Sequence, residues 1–288
     1  MPGRTVIVTD STAMIPPDLA AERGIVVVPL QVIIGSEVFD EGEERATPTR
    51  VAQALREFLP VSTSRPAPAA LQAAYDAAAA DGATHVVSVH LSGDMSGTFE
   101  SAQLAARHAS IPVTAVDSRQ VGVATGYAAL SAADACDAGQ GPEAAAVAAR
   151  ARAAASSSFF YVDTLEYLRR GGRIGAASAL FGGALAVKPL LTITDGRVGT
   201  LEKVRTSTRA LGRLEDLAVE AAGDGPVDVC VSHLASPDRA GVLAEHLATR
   251  LAGQLGGREV WCGELGAVLG AHVGPGMVAV CVAPLLPD

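Results

Sequence analysis

Short, nearly unbroken apolar runs recur between alanine-rich stretches of helical period, and this alternation constrains the fold more than any other feature of the chain. The runs include "TVIVTD" (5–10), "HVVSVH" (85–90), "VTAVDS" (113–118), "VDVCVSHL" (227–234) and "MVAVCVAP" (277–284). A strand with one face in water alternates apolar and polar residues, whereas a strand buried on both faces reads as a continuous apolar run. Continuous runs separated by helices predict an α/β protein with a parallel sheet covered on both faces. "IVVVPLQVII" (25–34) reads as one further strand.

The helices carry their own punctuation. "PPDLAAERG" (16–24) has proline at its start and glycine after its end, and "TPTRVAQALREFL" (47–59) opens with Thr47 as N-cap and Pro48 as first helical residue. "APAALQAAYDAAAADG" (67–82) repeats that design, and "GTFESAQLAARHA" (97–109) is a fourth helix. Helical patterning then runs from about 120 to 155, with its break at Gly139 to Pro142. Beyond "SFFYVDT" (158–164) the character changes. "PLLTITDGRVGTLEKVR" (189–205) holds two β runs separated by Asp195-Gly196, a strong hairpin signal. The expected architecture is therefore two α/β domains. Residues 1–160 form a parallel sheet flanked by helices, and residues 161–288 form a second domain whose mixed sheet contains a hairpin.

Composition narrows the function classes. The chain has 288 residues, 49% of them hydrophobic but only 4% aromatic, so its core is aliphatic and built around small side chains. A net charge of −9 argues against nucleic-acid binding, which needs a basic face. The four cysteines, Cys136, Cys230, Cys262 and Cys281, form no C-x-x-C pair and read as buried free thiols, with no metal site and no disulfide framework. "MPGRTVIVTDSTAM" lacks the apolar core of a secretion signal, and no stretch approaches the roughly 18 apolar residues of a membrane span. A cytoplasmic protein is expected.

There is no G-x-x-x-x-G-K-[ST] phosphate loop, no H-E-x-x-H and no G-x-S-x-G elbow, since Ser96 in "GDMSG" has the wrong spacing. What remains is a set of hydroxyl-rich loops at strand ends: Asp10, Ser11 and Thr12 after the first strand; Thr63 and Ser64 before a helix; Ser96, Gly97 and Thr98 between a strand and a helix; and Asp117 with Ser118. Open parallel sheets bind ligands beyond the carboxyl ends of their strands, where helix N-termini favour an anionic group. Each loop taken alone reads first as an N-cap, and it is four of them at one sheet edge that point to a ligand. "YLRRGGRI" (167–174) clusters Arg169, Arg170 and Arg173, with Arg205 further on; the alternatives are capping of a helix C-terminus or docking of an acidic partner. In "LGAHVGPGMVAV" (269–280), His272 is either a hydrogen-bonded core histidine or a ligand group set beside a tight Gly-Pro-Gly turn.

In order and spacing, "VTDSTAMIPPDLA", "VVPLQV", "STSRPAP", "LSGDMSGTFESA", "VDSRQVGVATG", "LRRGGRI", Lys188-Pro189, "KVRT" and "GAHVGPG" together resemble the DegV family of bacterial fatty-acid-binding proteins, which includes the FakB-like subunits of fatty acid kinase. The resemblance covers almost the whole chain. It implies a two-domain α/β carrier, not a stand-alone enzyme, that holds one long-chain fatty acid with its carboxylate at the domain interface and takes no cofactor. Thr63, Ser96 and His272 are the carboxylate ligands it implies, with Asp10, Ser11, Ser64, Gly97 and Thr98 as additional ligand-loop residues. The second domain would contribute His272 and a basic docking surface of Arg170, Arg173 and Arg205 for a separate ATP-dependent kinase that forms the acyl phosphate. Transient contact with a membrane surface is part of the same expectation. Two departures from the family pattern, Arg65 after Thr63-Ser64 and the "SGDMSGT" loop, bear on head-group geometry and lipid choice.

Magnitudes divide the work. About a dozen buried methylenes contribute roughly 10 kcal/mol before ordering costs, against about 1.5–3 kcal/mol for a charged hydrogen bond. The acyl chain sets affinity and the polar cluster sets orientation. Two rival readings stand beside the carrier: a hydrolase or acyltransferase with Ser96 as nucleophile and His272 as base, and a sensor of a small phosphorylated metabolite. "PLQVII" and "ALFGGALAV" are candidates to line an acyl tunnel, although either also reads as core.

Overall fold

The computed structural model describes residues 3–180 and 188–286. The chain divides into two units, one made of Met1–Gln31 with Ser64–Ala154 and the other of Val32–Thr63 with Ala155–Asp288. A single cut near residue 160 leaves residues 32–63 with the first unit, whereas here they belong to the second.

The first unit holds a four-stranded parallel sheet of β1 (Thr5–Asp10), β2 (Val26–Val28), β6 (His85–His90) and β7 (Val113–Asp117), in the order β2-β1-β6-β7. Its strands bury alternate residues into two layers. Ile7, Val87 and Val89 pack on alanines of α5 (Val123–Asp137) and α6 (Pro142–Ala155), among them Ala128, Ala132 and Ala149. Val6, Val8 and Val86 pack on Leu71 and Tyr75 of α3 (Pro68–Ala80) and on Ala102 and Ala105 of α4 (Thr98–Ala106). Small helix residues let backbone approach sheet closely, so the alanine bias is the packing solution for a core poor in aromatics. α1 (Pro17–Glu22) completes the unit.

The second unit carries a six-stranded sheet. Its strands are β8 (Ser157–Tyr161), β9 (Lys188–Thr194), β10 (Arg197–Val204), β11 (Val227–His233), β12 (Trp261–Glu264) and β13 (Val278–Pro284), ordered β10-β9-β8-β13-β11-β12. Neighbours are antiparallel except β11 and β12, which run parallel, so the sheet is mixed as the hairpin implied. Asp195 and Gly196 sit at φ 50° and 77°, the left-handed pair a two-residue hairpin of this hand requires. α8 (Ser207–Ala222) and α9 (Pro237–Arg250) cover one face, with Leu214 and Leu247 fully buried against Val229, Val231 and Val280. α10 (Ala252–Leu255) follows α9. A three-stranded sheet, β4-β3-β5, consists of β3 (Gln31–Ile34), β4 (Glu37–Asp40) and β5 (Val61–Ser64), and α2 (Pro48–Arg56) lies between β4 and β5 in sequence.

Three local expectations are corrected. "IVVVPLQVII" is not one strand: Pro29, which has no N–H to give a ladder, separates β2 from β3, and the two pair in different sheets. The helix after Ala67 lacks the hydroxyl cap of its predecessor; Thr47 accepts the Arg50 N–H, while Ala67 has no side-chain acceptor and Pro68 alone marks the start. Cys230 and Cys281 are buried free thiols, but Cys262 lies on the outermost strand, β12, and is exposed. The "ALFGGALAV" candidate lies mostly outside the described residues. No helix among the described residues is long and apolar enough to cross a membrane.

Candidate functional site

His272 lies in the last turn of a helix, not in a loop. α11 (Ala267–Val273) is easy to overlook because Gly266 precedes it and Gly270 lies inside it. Its first turn is capped from far away: Glu41 Oε1 accepts the Val268 N–H at 2.8 Å, and a Cβ at Gly266 would stand 2.5 Å from that oxygen. Gly274, at φ 76°, ends the helix.

The ring meets Thr63 at the end of β5, with Nε2 2.9 Å from Thr63 Oγ1. Nδ1 is buried and has no hydrogen-bond partner among the described residues. Burial first, and the positive charge of Arg173 second, push the imidazole down to about 4, so the ring is neutral at pH 7. Thr63 and His272 therefore form a neutral donor–acceptor pair with one unanswered ring nitrogen.

Three close approaches, one of them to the ring itself, surround this site. A Cβ on Gly171 would stand 2.3 Å from His272 Nδ1, one on Gly274 would stand 2.0 Å from the Tyr167 ring, and one on Gly276 would stand 1.9 Å from Asp163 Oδ2. The segment 163–171, which contains α7 (Glu166–Arg170), is thus interlocked with residues 272–276. Gly274 and Gly276 answer two demands at once, a positive φ (76° and 92°) and a neighbour where a side chain would be. The glycines of "LRRGGR" and "HVGPG" are explained by this fit, which sequence spacing alone did not show.

The arginines separate into two settings. Arg169 and Arg170 both pair with Glu166, at 2.7 Å, and their hydrogen bonds hold its carboxyl down at about 2. Arg173 donates to the Gly171 carbonyl at 2.7 Å. Arg205 follows β10 and lines a groove of about 490 Å³ with Lys203, Arg209 and Arg213; Arg170 and Arg173 are not among its lining residues.

In the first unit, Ser96 Oγ is 2.8 Å from Thr98 Oγ1 and accepts the Thr98 N–H at the head of α4. Arg65 reaches this loop: its guanidinium donates to Gly97 O at 3.2 Å and pairs with Glu100 at 2.9 Å, and a Cβ on Gly97 would stand 2.0 Å from it. The Arg65 departure therefore acts directly on the loop that carries Ser96. Ser64 Oγ donates to Arg65 O. Asp10 is fully buried and accepts from Thr12 N, Thr12 Oγ1, His90 Nδ1 and Leu91 N; Ser11 Oγ accepts the Leu30 N–H at 3.0 Å. Asp117 accepts from Gly93 N and Arg119 N, and Ser118 bonds to Thr125. Asp10, Ser11, Asp117 and Ser118 are thus bonded within the fold, while Ser96 and Thr98 bond to each other. Among the described residues no group of three His, Cys, Asp or Glu is arranged to hold a metal.

Comparison with known proteins places the chain. The sequence model of a family described as "Uncharacterised protein, DegV family" matches residues 4–285. A DegV domain-containing protein of Streptomyces coelicolor is 49% identical over 283 residues, 98% of this chain and 99% of its own length. A DegV family protein from Thermus thermophilus, described as binding fatty acid, superposes with a TM-score of 0.90 at 34% identity, covering 98% of this chain and all of that one. DegV from Bacillus subtilis, described as a fatty-acid-binding protein, gives 0.89 at 31% identity with the same coverage. With a matched family model from end to end and a relative at nearly half identity, the chain belongs to the DegV family.

Proposed function

We propose that this protein binds a long-chain fatty acid and presents its carboxylate to a separate ATP-dependent fatty acid kinase, which forms the acyl phosphate. The observation that carries the reading is the Thr63–His272 pair, a hydroxyl 2.9 Å from a neutral, largely buried imidazole. The Thermus and Bacillus proteins, similar over nearly the whole length, support the ligand class. Thr63, Ser96 and His272 hold the carboxylate, with Ser64 and the Gly97–Thr98 amides around it. Thr63 and Ser64 are consecutive residues of β5, the last of one segment and the first of the next at the point where the chain passes between units. Arg170, Arg173 and Arg205 form the surface for the kinase. The carrier works in the cytoplasm and touches the membrane surface transiently.

The hydroxyl of Ser96 is engaged by Thr98, and His272 Nε2 by Thr63, which argues against a serine nucleophile poised on a histidine base. Denaturing extraction of the purified protein with mass spectrometry, followed by thermal shift with palmitate and oleate, tests the reading. A copurified fatty acid or a shift upward supports it. No fatty acid and no shift with either ligand refutes it, and an extracted phosphorylated metabolite replaces it with the sensor.

A further inference from the structure

Beneath the ligand loops of the first unit lies a sealed line of polar groups, Tyr75, Ser88, His90 and Asp10, each fully buried. Tyr75 OH is 2.9 Å from Ser88 Oγ, Ser88 Oγ is 2.7 Å from His90 Nε2, and His90 Nδ1 is 2.9 Å from Asp10 Oδ2. One arrangement of protons satisfies the whole line. Burial raises the Tyr75 phenol to about 12, so it keeps its proton and donates to Ser88. Ser88 then donates to Nε2, and Nδ1–H donates to Asp10. A Ser-His-Asp series of this kind resembles a hydrolytic relay, but a serine with no exposed surface meets no substrate.

Its end at Asp10 is informative. Oδ1 accepts from Thr12 N at 3.1 Å and from Thr12 Oγ1, and Oδ2 accepts from His90 Nδ1 and from Leu91 N at 3.1 Å. A single carboxylate therefore ties the turn after β1 to the backbone that leaves β6. From Leu91 the ordering continues: Ser92 O accepts the N–H groups of Met95 and Ser96 at 3.0 and 3.1 Å, and Ser92 N donates to Gln120 O at 2.8 Å. Six residues after His90 the chain delivers Ser96.

We propose that the buried Asp10–His90 pair is a positioning device for the head-group loop, setting where the Ser96 hydroxyl and the Gly97–Thr98 amides stand. The inference rests on the reading that Ser96 meets a fatty-acid carboxylate. Asp10 and His90 touch no ligand; they act through Leu91 and the Ser92 turn. A carboxylate is suited to the task because it accepts four donors at once, and His90 supplies the donor that a backbone could not place there.

The test compares oleate with oleyl alcohol, which has the same chain and no carboxylate, on full-length wild type, Asp10→Asn, His90→Ala, His90→Asn and the core variant Val116→Ala. Val116 is fully buried against the α5 and α6 alanines of the same unit, so its truncation reports simple loss of core packing. Asp10→Asn leaves one accepting oxygen where the carboxylate has two, so its NH2 faces either the Leu91 and His90 donors or the Thr12 donors and the tie between β1 and β6 is broken on one side. It should lower oleate affinity about tenfold, the scale of one lost charged hydrogen bond, while oleyl alcohol binding stays within about twofold. His90→Asn keeps a donor toward Asp10 and should stay nearer wild type than His90→Ala. Amide exchange at 91–96 should quicken in Asp10→Asn beyond its change in Val116→Ala. Equal loss of both ligands in Asp10→Asn, or a wild-type oleate preference retained in it, overturns the proposal. If Asp10→Asn does not fold, equal behaviour of His90→Ala and His90→Asn overturns it. A wild type that binds oleate no better than oleyl alcohol fails the head-group reading instead, and the exchange comparison then decides the positioning role by itself.

Discussion

Gly171→Ala is the sharpest perturbation of the proposed head-group site, because the one severe clash a methyl group would meet is the His272 ring; the Tyr167 carbonyl oxygen, 3.3 Å away, need yield only by about a tenth of an ångström. Gly171 sits at φ −72°, ψ −12°, a conformation alanine adopts freely, so the backbone pays nothing. The new Cβ would stand 2.3 Å from His272 Nδ1 and 3.0 Å from Cε1, where ordinary contact begins at 3.4 Å. The imidazole must withdraw by about 1 Å, and a shift of that size breaks the 2.9 Å bond to Thr63. Overpacking of about 1–3 kcal/mol and a lost neutral hydrogen bond of about 0.5–1.5 kcal/mol set the expected destabilisation at roughly 2–4 kcal/mol. The assay is urea unfolding in two backgrounds. In wild type the substitution should cost that amount; in His272→Ala, where the ring is gone, it should cost close to nothing. Oleate affinity should fall in the first background and not further in the second. Equal cost in both backgrounds would refute the steric argument, and with it the claim that the glycines of "LRRGG" exist to seat the histidine.

His272→Ala should leave most fatty acid bound, losing about 1–3 kcal/mol of affinity, yet cut kinase-dependent acyl-phosphate formation by about 100-fold because the carboxylate is misplaced; full occupancy with unchanged turnover, read on one preparation, would return the ring to a purely structural role. The same residue sets a pH dependence. Its folded pKa of about 4 lies below the ordinary 6.5, so the unfolded chain takes the proton first, and its contribution to stability is whole above about pH 6.5 and lost as pH falls toward 4. Urea unfolding of His272→Gln should show a flatter decline over that window, and a decline as steep as wild type would exclude the histidine as its source. Arg205→Ala should weaken coupling to the kinase more than Arg170→Ala, since Arg170 shares Glu166 with Arg169, and neither should reduce bound lipid. The measurement is kinase association as a function of salt; loss of lipid with normal association would move these arginines into the pocket.

The fold class and the chemistry of the site were legible in the sequence to different depths. Continuous apolar strands and alanine-rich helices state which faces are buried, and Asp195-Gly196 states a turn whose φ values only such residues tolerate, so the parallel and mixed sheets could be read directly. Pro29 was visible too, but whether a proline ends a strand or sits at an edge depends on which partner its neighbours find. α11 was hidden because glycine lowers helical propensity, and its missing cap comes from Glu41, 227 residues away. Of the hydroxyl loops, spacing could not separate Asp10, whose carboxylate is filled from within, from Ser96, whose hydroxyl bonds to Thr98 in its own turn. That distinction depends on distances across β1 and β6, and no linear pattern records it. Gly171 appeared as part of a basic motif; its reason is a ring about 100 residues further along.

The order of synthesis gives the divided second unit a cost. Residues 32–63 emerge early, carrying Val32, Phe39, Val51 and Leu55, all buried in the finished protein, but the six-stranded sheet of their own unit and the helices that cover it come only after Ala155. Thr63 is made 209 residues before His272. At about 5–20 residues per second on the ribosome, that interval lasts roughly 10–40 s, and until synthesis passes Ala155 this apolar segment lacks the six-stranded sheet of its own unit. The interval is a window for chaperone capture or for mispairing, and it makes the Thr63–His272 pair one of the last features of the native state to exist.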